Sequence, residues 1–268
     1  MKRFFELLTA YFHVNLTRFI SYRVETSIWL IGTTLPPVVL LSVWRNATIR
    51  AGGTLSGFTV GEVAAYFIWV LLLNHTTNAW GVFLWESYVR EGYLSNVLLR
   101  PNAVAFQDFG ENLAFKVATT PVMVLTAIGL GFAFHPQIVV VPWAIAAFVP
   151  AFLMAFALRY VIDWIVASTS ALHLTKVDAV NSVYFFILFM FSGQLAPTNL
   201  LPESLRLIAF CLPFRWIIDF PVQLVMGRLT PHEVVVGLAA QAFWFTALFL
   251  VNLVTWRKGL RNYTAVGI

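Results

Sequence analysis

The feature that most restricts this chain is a series of apolar runs too long for any water-facing helix. One of them, VPWAIAAFVPAFLMAFALRYVIDWIVASTSA, carries only Arg159 and Asp163 as charges between residues 141 and 171. Six such runs stand at about 27–44, 62–84, 113–134, 142–171, 179–196 and 231–256, close to the roughly 20 apolar residues a helix needs to cross the hydrocarbon core. No Pro- or Ser-rich linker divides them, so residues 1–268 read as one domain. With 60% hydrophobic and 11% charged residues, against about 25% charged in soluble domains, lipid must cover most of the surface. The expected fold is an all-α integral membrane protein with six transmembrane helices. The fourth run exceeds one perpendicular crossing, so it tilts, kinks near Pro150 or continues past the lipid. The fifth is short and ends at SGQLAP.

Lys and Arg favour the cytoplasmic side of a membrane. With both termini inside, eleven of the 17 Lys and Arg face the cytosol, five face out and Arg159 lies within the fourth run. The breaks after the second and fourth runs are therefore expected in the cytosol. In the first 25 residues Lys2, Glu6, Thr9, His13 and Thr17 recur at helical spacing, with Phe5, Leu8, Phe12, Leu16 and Phe19 on other faces. That pattern predicts an amphipathic helix on the inner leaflet. It lacks the short apolar core and cleavage site of a signal peptide, so its retention is expected. The connection at 197–230 is too apolar for a solvated loop, and Pro202, Pro213 and Pro221 each break or start a helix. Two short helices that enter the outer leaflet and return are expected there, with Arg215 and Asp219 one turn apart. The last span opens with a capping box, Thr230 before Pro231 and Glu233.

Several function classes are disfavoured. The net charge of +5 comes from basic residues at the ends of apolar runs, not from a continuous patch, so no nucleic-acid partner is expected. The single cysteine, Cys211, excludes an intrachain disulfide and a multi-cysteine metal site. His13, His75, His135, His173 and His232 are scattered without ligand spacing, and "PHEVV" has no second histidine. A membrane-embedded enzyme, or a transporter working alone through inverted repeats, is the alternative to the reading below.

WESYVREGYLSNVLLRPN, residues 85–102, sets charge between two of the most apolar stretches. Glu86 and Arg90 are spaced as a supportive pair, Gly92 admits close approach to the backbone, and Pro101 ends the helix. Tyr93, Leu94, Val97 and Leu98 give it more apolar surface than a wet helix needs. It either docks into a partner's groove or lies on lipid headgroups.

REGYLSNVLLRP, Arg90 to Pro101, resembles the cytoplasmic loop of type-2 ABC exporter permeases. SGQLAPTNLLPESLRLIAFCLPF, Ser192 to Phe214, looks like the family's segment after the fifth span. The order of elements agrees over essentially the whole chain, and the viologen-exporter-like or daunorubicin-type permeases are the most similar group. Asn102 and Ala103 after the Arg-Pro, and Leu172 and His173 in place of an aromatic pair, depart from the pattern. The resemblance implies a non-catalytic subunit that forms half of a translocation path in a bacterial plasma (inner) membrane. Its coupling helix, 85–101, would seat in a separate ATPase subunit through Arg90, Glu91, Gly92, Tyr93, Leu94, Arg100 and Pro101. ATP and Mg would be bound by that ATPase, in keeping with the absence of a G-x-x-x-x-G-K-[ST] loop here. A second permease, identical or related, completes the path, and a hydrophobic or amphipathic cargo is expected.

Polar residues within spans face a partner helix or a cavity. Asn74, His75 and Asn78 in the second run either line the path or bond neighbouring helices. Arg159 and Asp163, four apart, either neutralise each other or serve a substrate or gate. Gln194, beside Ser192, either belongs to an exit gate or packs.

Overall fold

In apolar surroundings a backbone must satisfy its own N–H and C=O groups, and the long apolar runs accordingly become helices. The computed structural model describes residues 2–79, 81, 85, 88, 91–99, 104–173 and 177–262. In chain order the helices are α1 (Lys2–Ser21), α2 (Arg23–Arg50), α3 (Val60–Thr77), α4 (Tyr93–Leu98), α5 (Val104–Phe134), α6 (Pro142–His173), α7 (Val177–Phe191), α8 (Glu203–Cys211), α9 (Asp219–Val225) and α10 (Pro231–Asn262). Two-residue strands, Thr54–Leu55 and Phe58–Thr59, pair antiparallel just before α3.

The outward faces are apolar. Along α2, Val24, Ile28, Ile31, Leu35, Val39 and Val43 are all exposed at three- and four-residue spacing, a stripe that only lipid can cover. Among the described residues four helices are long and apolar enough to cross a membrane: Arg23–Arg50, Gln107–Phe134, Pro142–Thr169 and Pro231–Arg261. A fifth is added if Glu203–Cys211 and Phe214–Val225, bent by 75°, count as one span. The expected second and fifth crossings form the shorter α3 and α7. The protein is a multi-pass, all-α membrane protein.

Three boundaries differ from the sequence pattern. The run at 62–84 leaves helical geometry after Thr77, where Asn78 takes φ −56° and ψ 137°. The third helix begins at Val104, well before 113. The segment expected to be helical from Trp85 to Leu99 turns at Glu91 and Gly92, so α4 holds only Tyr93–Leu98. By contrast α6 runs unbroken through Pro150.

Packing gives the bundle a terminal end, where α1 and α10 carry the chain termini, and a far end. α6 lies along α10, α1 along α5, and α3 is enclosed by α2, α5 and α6. The main core joins Tyr66, Phe67 and Val70 of α3 to Leu158 and Ile162 of α6 and Phe220, Val222 and Leu224 of α9. Gly237 of α10 lets the Phe220 ring press on the helix backbone, since a Cβ there would stand 2.0 Å from a ring carbon. The far end is tied by Trp44 Nε1 donating to the Leu195 carbonyl at 2.8 Å, and by Arg228 pairing with Glu62 at 2.5 Å. Glu62 also closes a capping box with Thr59. The box at Thr230 forms as its spacing requires: the Glu233 carboxylate accepts from the Thr230 backbone N–H at 2.8 Å.

Candidate functional site

The terminal end holds two linked features, a short half-exposed helix and a buried polar network above it. α4 is amphipathic within two turns. Leu94 is fully buried against Trp85, Trp164 and Ala167, with Tyr88, Leu98, Tyr160 and Trp256 around them. The Trp85 ring meets Trp164 and Trp256 edge-on, at 5.2 and 5.4 Å between centroids. On the other side Glu91, Tyr93 and Asn96 are exposed, and Leu99 just beyond α4 is 85% exposed. Gly92 has φ +70°, so glycine is required there by backbone conformation. Of the expected coupling residues, Glu91, Gly92 and Tyr93 lie on or beside the open face, while Leu94 is an anchor within this chain. Arg90, Arg100 and Pro101 lie outside the described residues.

The polar network forms where α3 stops. Arg159 of α6 reaches across to the end of α3: Nη1 donates to Asn74 Oδ1 at 2.8 Å and Thr77 Oγ1 at 3.1 Å, and Nη2 to Asn78 Oδ1 at 2.8 Å. The Tyr184 hydroxyl of α7 is another of its partners. The structure thus brings Asn74, Asn78 and Arg159 into one cluster. Asp163, one turn along α6, is buried beside Gly81; a Cβ on Gly81 would stand 3.0 Å from Asp163 Oδ2 and 3.8 Å from Asp108 Oδ2. His75 faces α5 instead, with Nε2 3.1 Å from Thr119 Oγ1. Gln194 is apart from all of these near the far end, where its Nε2 donates to Ser192 Oγ at 3.1 Å.

The pattern reading missed the polar face of α5. Lys116 Nζ donates to the Asn78 carbonyl at 2.5 Å and to Asn112 Oδ1, and Asn112 Nδ2 donates to the same carbonyl at 3.3 Å. Asp108 Oδ2 accepts from Trp85 Nε1 at 2.9 Å, which joins the network to the aromatic nest under α4. Glu111 pairs with Arg18 of α1 at 3.2 Å. Gln107 Nε2 donates to the Tyr88 hydroxyl at 3.0 Å; burial, then Asp108 and Glu111, push the pKa of that hydroxyl up. The signal was present in QDFGENLAFKVATT, where Asp108, Glu111, Asn112, Lys116 and Thr119 repeat at helical spacing. Arg18, Lys116 and Arg159 balance Asp108, Glu111 and Asp163 in formal charge, which is what low-dielectric surroundings demand.

A second buried polar site lies near the far end. Asp219 opens α9 fully buried and accepts from five donors. These are Tyr66 Oη at 2.8 Å, Thr198 N at 3.2 Å, Thr198 Oγ1 at 2.5 Å, Arg215 Nε at 3.1 Å and Gln223 Nε2 at 2.7 Å. The Arg215 guanidinium lies over the Phe210 ring, 3.5 Å from its centroid. Gly193, at φ +95°, leaves room for Tyr66 and Asp219, since a Cβ would stand 2.5 Å from the tyrosine hydroxyl. Among the described residues no three His, Cys, Asp or Glu side chains gather as a metal cage requires.

Long lipid-facing helices, a charge-balanced interior and an amphipathic segment at one end define a multi-pass membrane protein of the transport class. The chain belongs to a family described as ABC-2 family transporter protein, which matches residues 35–267. It is therefore a permease component of an ABC transporter. The match begins within α2 and covers both the segment at 90–101 and that at 192–214. No curated protein and no solved structure matches the chain.

Proposed function

We propose that this permease forms half of an exporter's translocation path and takes its driving force through α4 from a separate ATPase subunit. The observation that carries the reading is the two-sidedness of α4: Leu94 is locked into the chain's own aromatic nest, Asn96 and Leu99 are exposed, and Tyr93 is partly exposed with its ring 5.3 Å from that of Tyr88. An aromatic and an aliphatic side chain on a rigidly anchored turn suit docking into a partner's groove. Two permeases, identical or related, and two ATPases make the complete machine. ATP and Mg bind to the ATPases, whose closure displaces α4 and switches the bundles between inward- and outward-facing states. α4, α1 and both termini lie on the cytosolic side of a bacterial inner membrane, with α1 at the lipid surface. α3 and α7 serve as the second and fifth of six spans, and the bent pair α8 and α9 is re-entrant from the outer face. The long apolar faces fit an amphipathic or hydrophobic cargo such as a drug, lipid, lipid-linked glycan or natural product. The motif at 90–101 supports a likeness to the viologen-exporter-like or daunorubicin-type permeases.

The test is co-purification of the ATPase with Tyr93→Glu and Leu99→Glu variants. Association falls at least about tenfold with unchanged membrane yield if α4 is the docking element. Full association in both variants overturns the reading.

A further inference from the structure

We infer that the chain bends at Asn78 and Ala79, and that Lys116 is the positioning residue that holds this hinge. The inference deepens the coupling reading above and rests on it for the source of motion.

Inside a helix each carbonyl already accepts from the N–H four residues on and points along the helix axis. At Asn78 the ψ of 137° swings the carbonyl off the helix axis, and two side chains of α5 take it. Lys116 therefore does for α3 what a cap does for an exposed helix end, from 38 positions away in sequence. Its own surroundings are unusual. The residue is only 8% exposed, its ammonium is held by the amide oxygens of Asn78 and Asn112, and the Phe156 ring centroid lies 5.3 Å away. Among the described residues no carboxylate lies within ion-pairing distance of it. Its hydrogen-bond acceptors are neutral oxygens and Asp163 acts on it through charge alone, so a shift of the Asn78 carbonyl breaks no ion pair. Arg159 grips Asn74, Thr77 and Asn78 on the near side of the break and keeps α3 fixed to α6.

Beyond the break the described contacts go to α5, α6 and α10 and, through Trp85, to α4. Gly81 passes between Asp163 and Asp108, Trp85 donates to Asp108, and Trp85 shares its aromatic nest with Leu94. A push on α4 would pass through Leu94 to Trp85, and among the described residues between α3 and Trp85 only Asn78 and Ala79 leave helical geometry. Continuity of contacts is not itself coupling, so the joint must be measured.

The experiment is amide hydrogen exchange on the full chain in lipid nanodiscs, alone and in complex with its ATPase, nucleotide-free and trapped with ADP and vanadate. Lys116→Met keeps the apolar stem and removes the donor, and Lys116→Arg restores one. In the chain alone, Lys116→Met is expected to raise exchange over residues 78–88 by about tenfold relative to α10, and Lys116→Arg much less. In the complex, exchange over 78–88 differs between nucleotide states in the wild type, and Lys116→Met removes the difference while retaining the ATPase. Exchange unchanged over 78–88, or raised equally throughout the chain, overturns the hinge, as does a state difference that survives Lys116→Met. Failure of the wild-type chain to bind an ATPase would sink the coupling reading, and the isolated chain would still test the hinge.

Discussion

The two buried polar sites of this permease are built from the same residue types and differ in how they are closed. At the far end, the ligands of Asp219 come mostly from one short stretch, Thr198 to Gln223, with Tyr66 added from α3. The acid is saturated, its arginine partner lies against the Phe210 and Trp216 rings, and backbone geometry at Gly193 is matched to it. At the terminal end, the charges come from α1, α5 and α6 and their partners from α3 and α7. There Asp108 Oδ1 and Arg159 Nε are buried without a hydrogen bond. A locally closed, saturated site behaves as a lock, whereas one spread over several helices can re-pair when they shift. The first pins the bent segment to the bundle; the second lies at the break in α3 and beside α4, where motion has to enter.

Four substitutions break or sharpen this contrast. Asp219→Ala strands the Arg215 guanidinium in the interior and is expected to cost about 3–5 kcal/mol, seen as a collapse in thermal stability of the detergent-solubilised protein. A variant that melts like the wild type would remove the lock. Leu94→Ala empties part of the aromatic nest and is expected to cost about 2–4 kcal/mol in the same assay; a loss below about 1 kcal/mol would mean α4 is not anchored. Arg159→Met releases the end of α3, but its hydrogen-bond acceptors are neutral, two helices remain to re-satisfy them, and Lys116 remains as a buried cation acting on Asp163. A smaller loss of about 1–3 kcal/mol is expected, and a loss exceeding that of Asp219→Ala would invert the comparison. Leu99→Ala, on the open face, should change stability by no more than about 0.5 kcal/mol; a larger effect would show that Leu99 is packed within the chain.

What the sequence disclosed follows from where the deciding interactions lie. The prolines at 202, 213 and 221 act on their own backbone, and the connection at 197–230 does break into short helices bent by 75°. Arg215 and Asp219 are one turn apart and do pair, and the Thr230 box is likewise local. The stop after Thr77 was hidden because apolar residues continue beyond it, and the group that ends the helix is Lys116 from α5. The Lys116 stripe was itself legible as a periodicity. Its first members, Asp108, Glu111 and Asn112, fell before the span because apolarity alone placed its start at 113. Which side of α4 faces inward was also out of reach, since Tyr93 and Leu94 are adjacent and both carry large apolar surface, and Trp164 and Trp256 from distant helices, gathered around Trp85, decide between them.

The most direct measurement is disulfide or maleimide cross-linking from Asn96→Cys in a Cys211→Ser background, with the ATPase co-expressed. A force-bearing α4 predicts that this cysteine is shielded from impermeant thiol reagents in intact cells and is joined to the ATPase by a short cross-linker. Labelling from outside the cell, or an assembled complex in which no such cross-link forms, would contradict it.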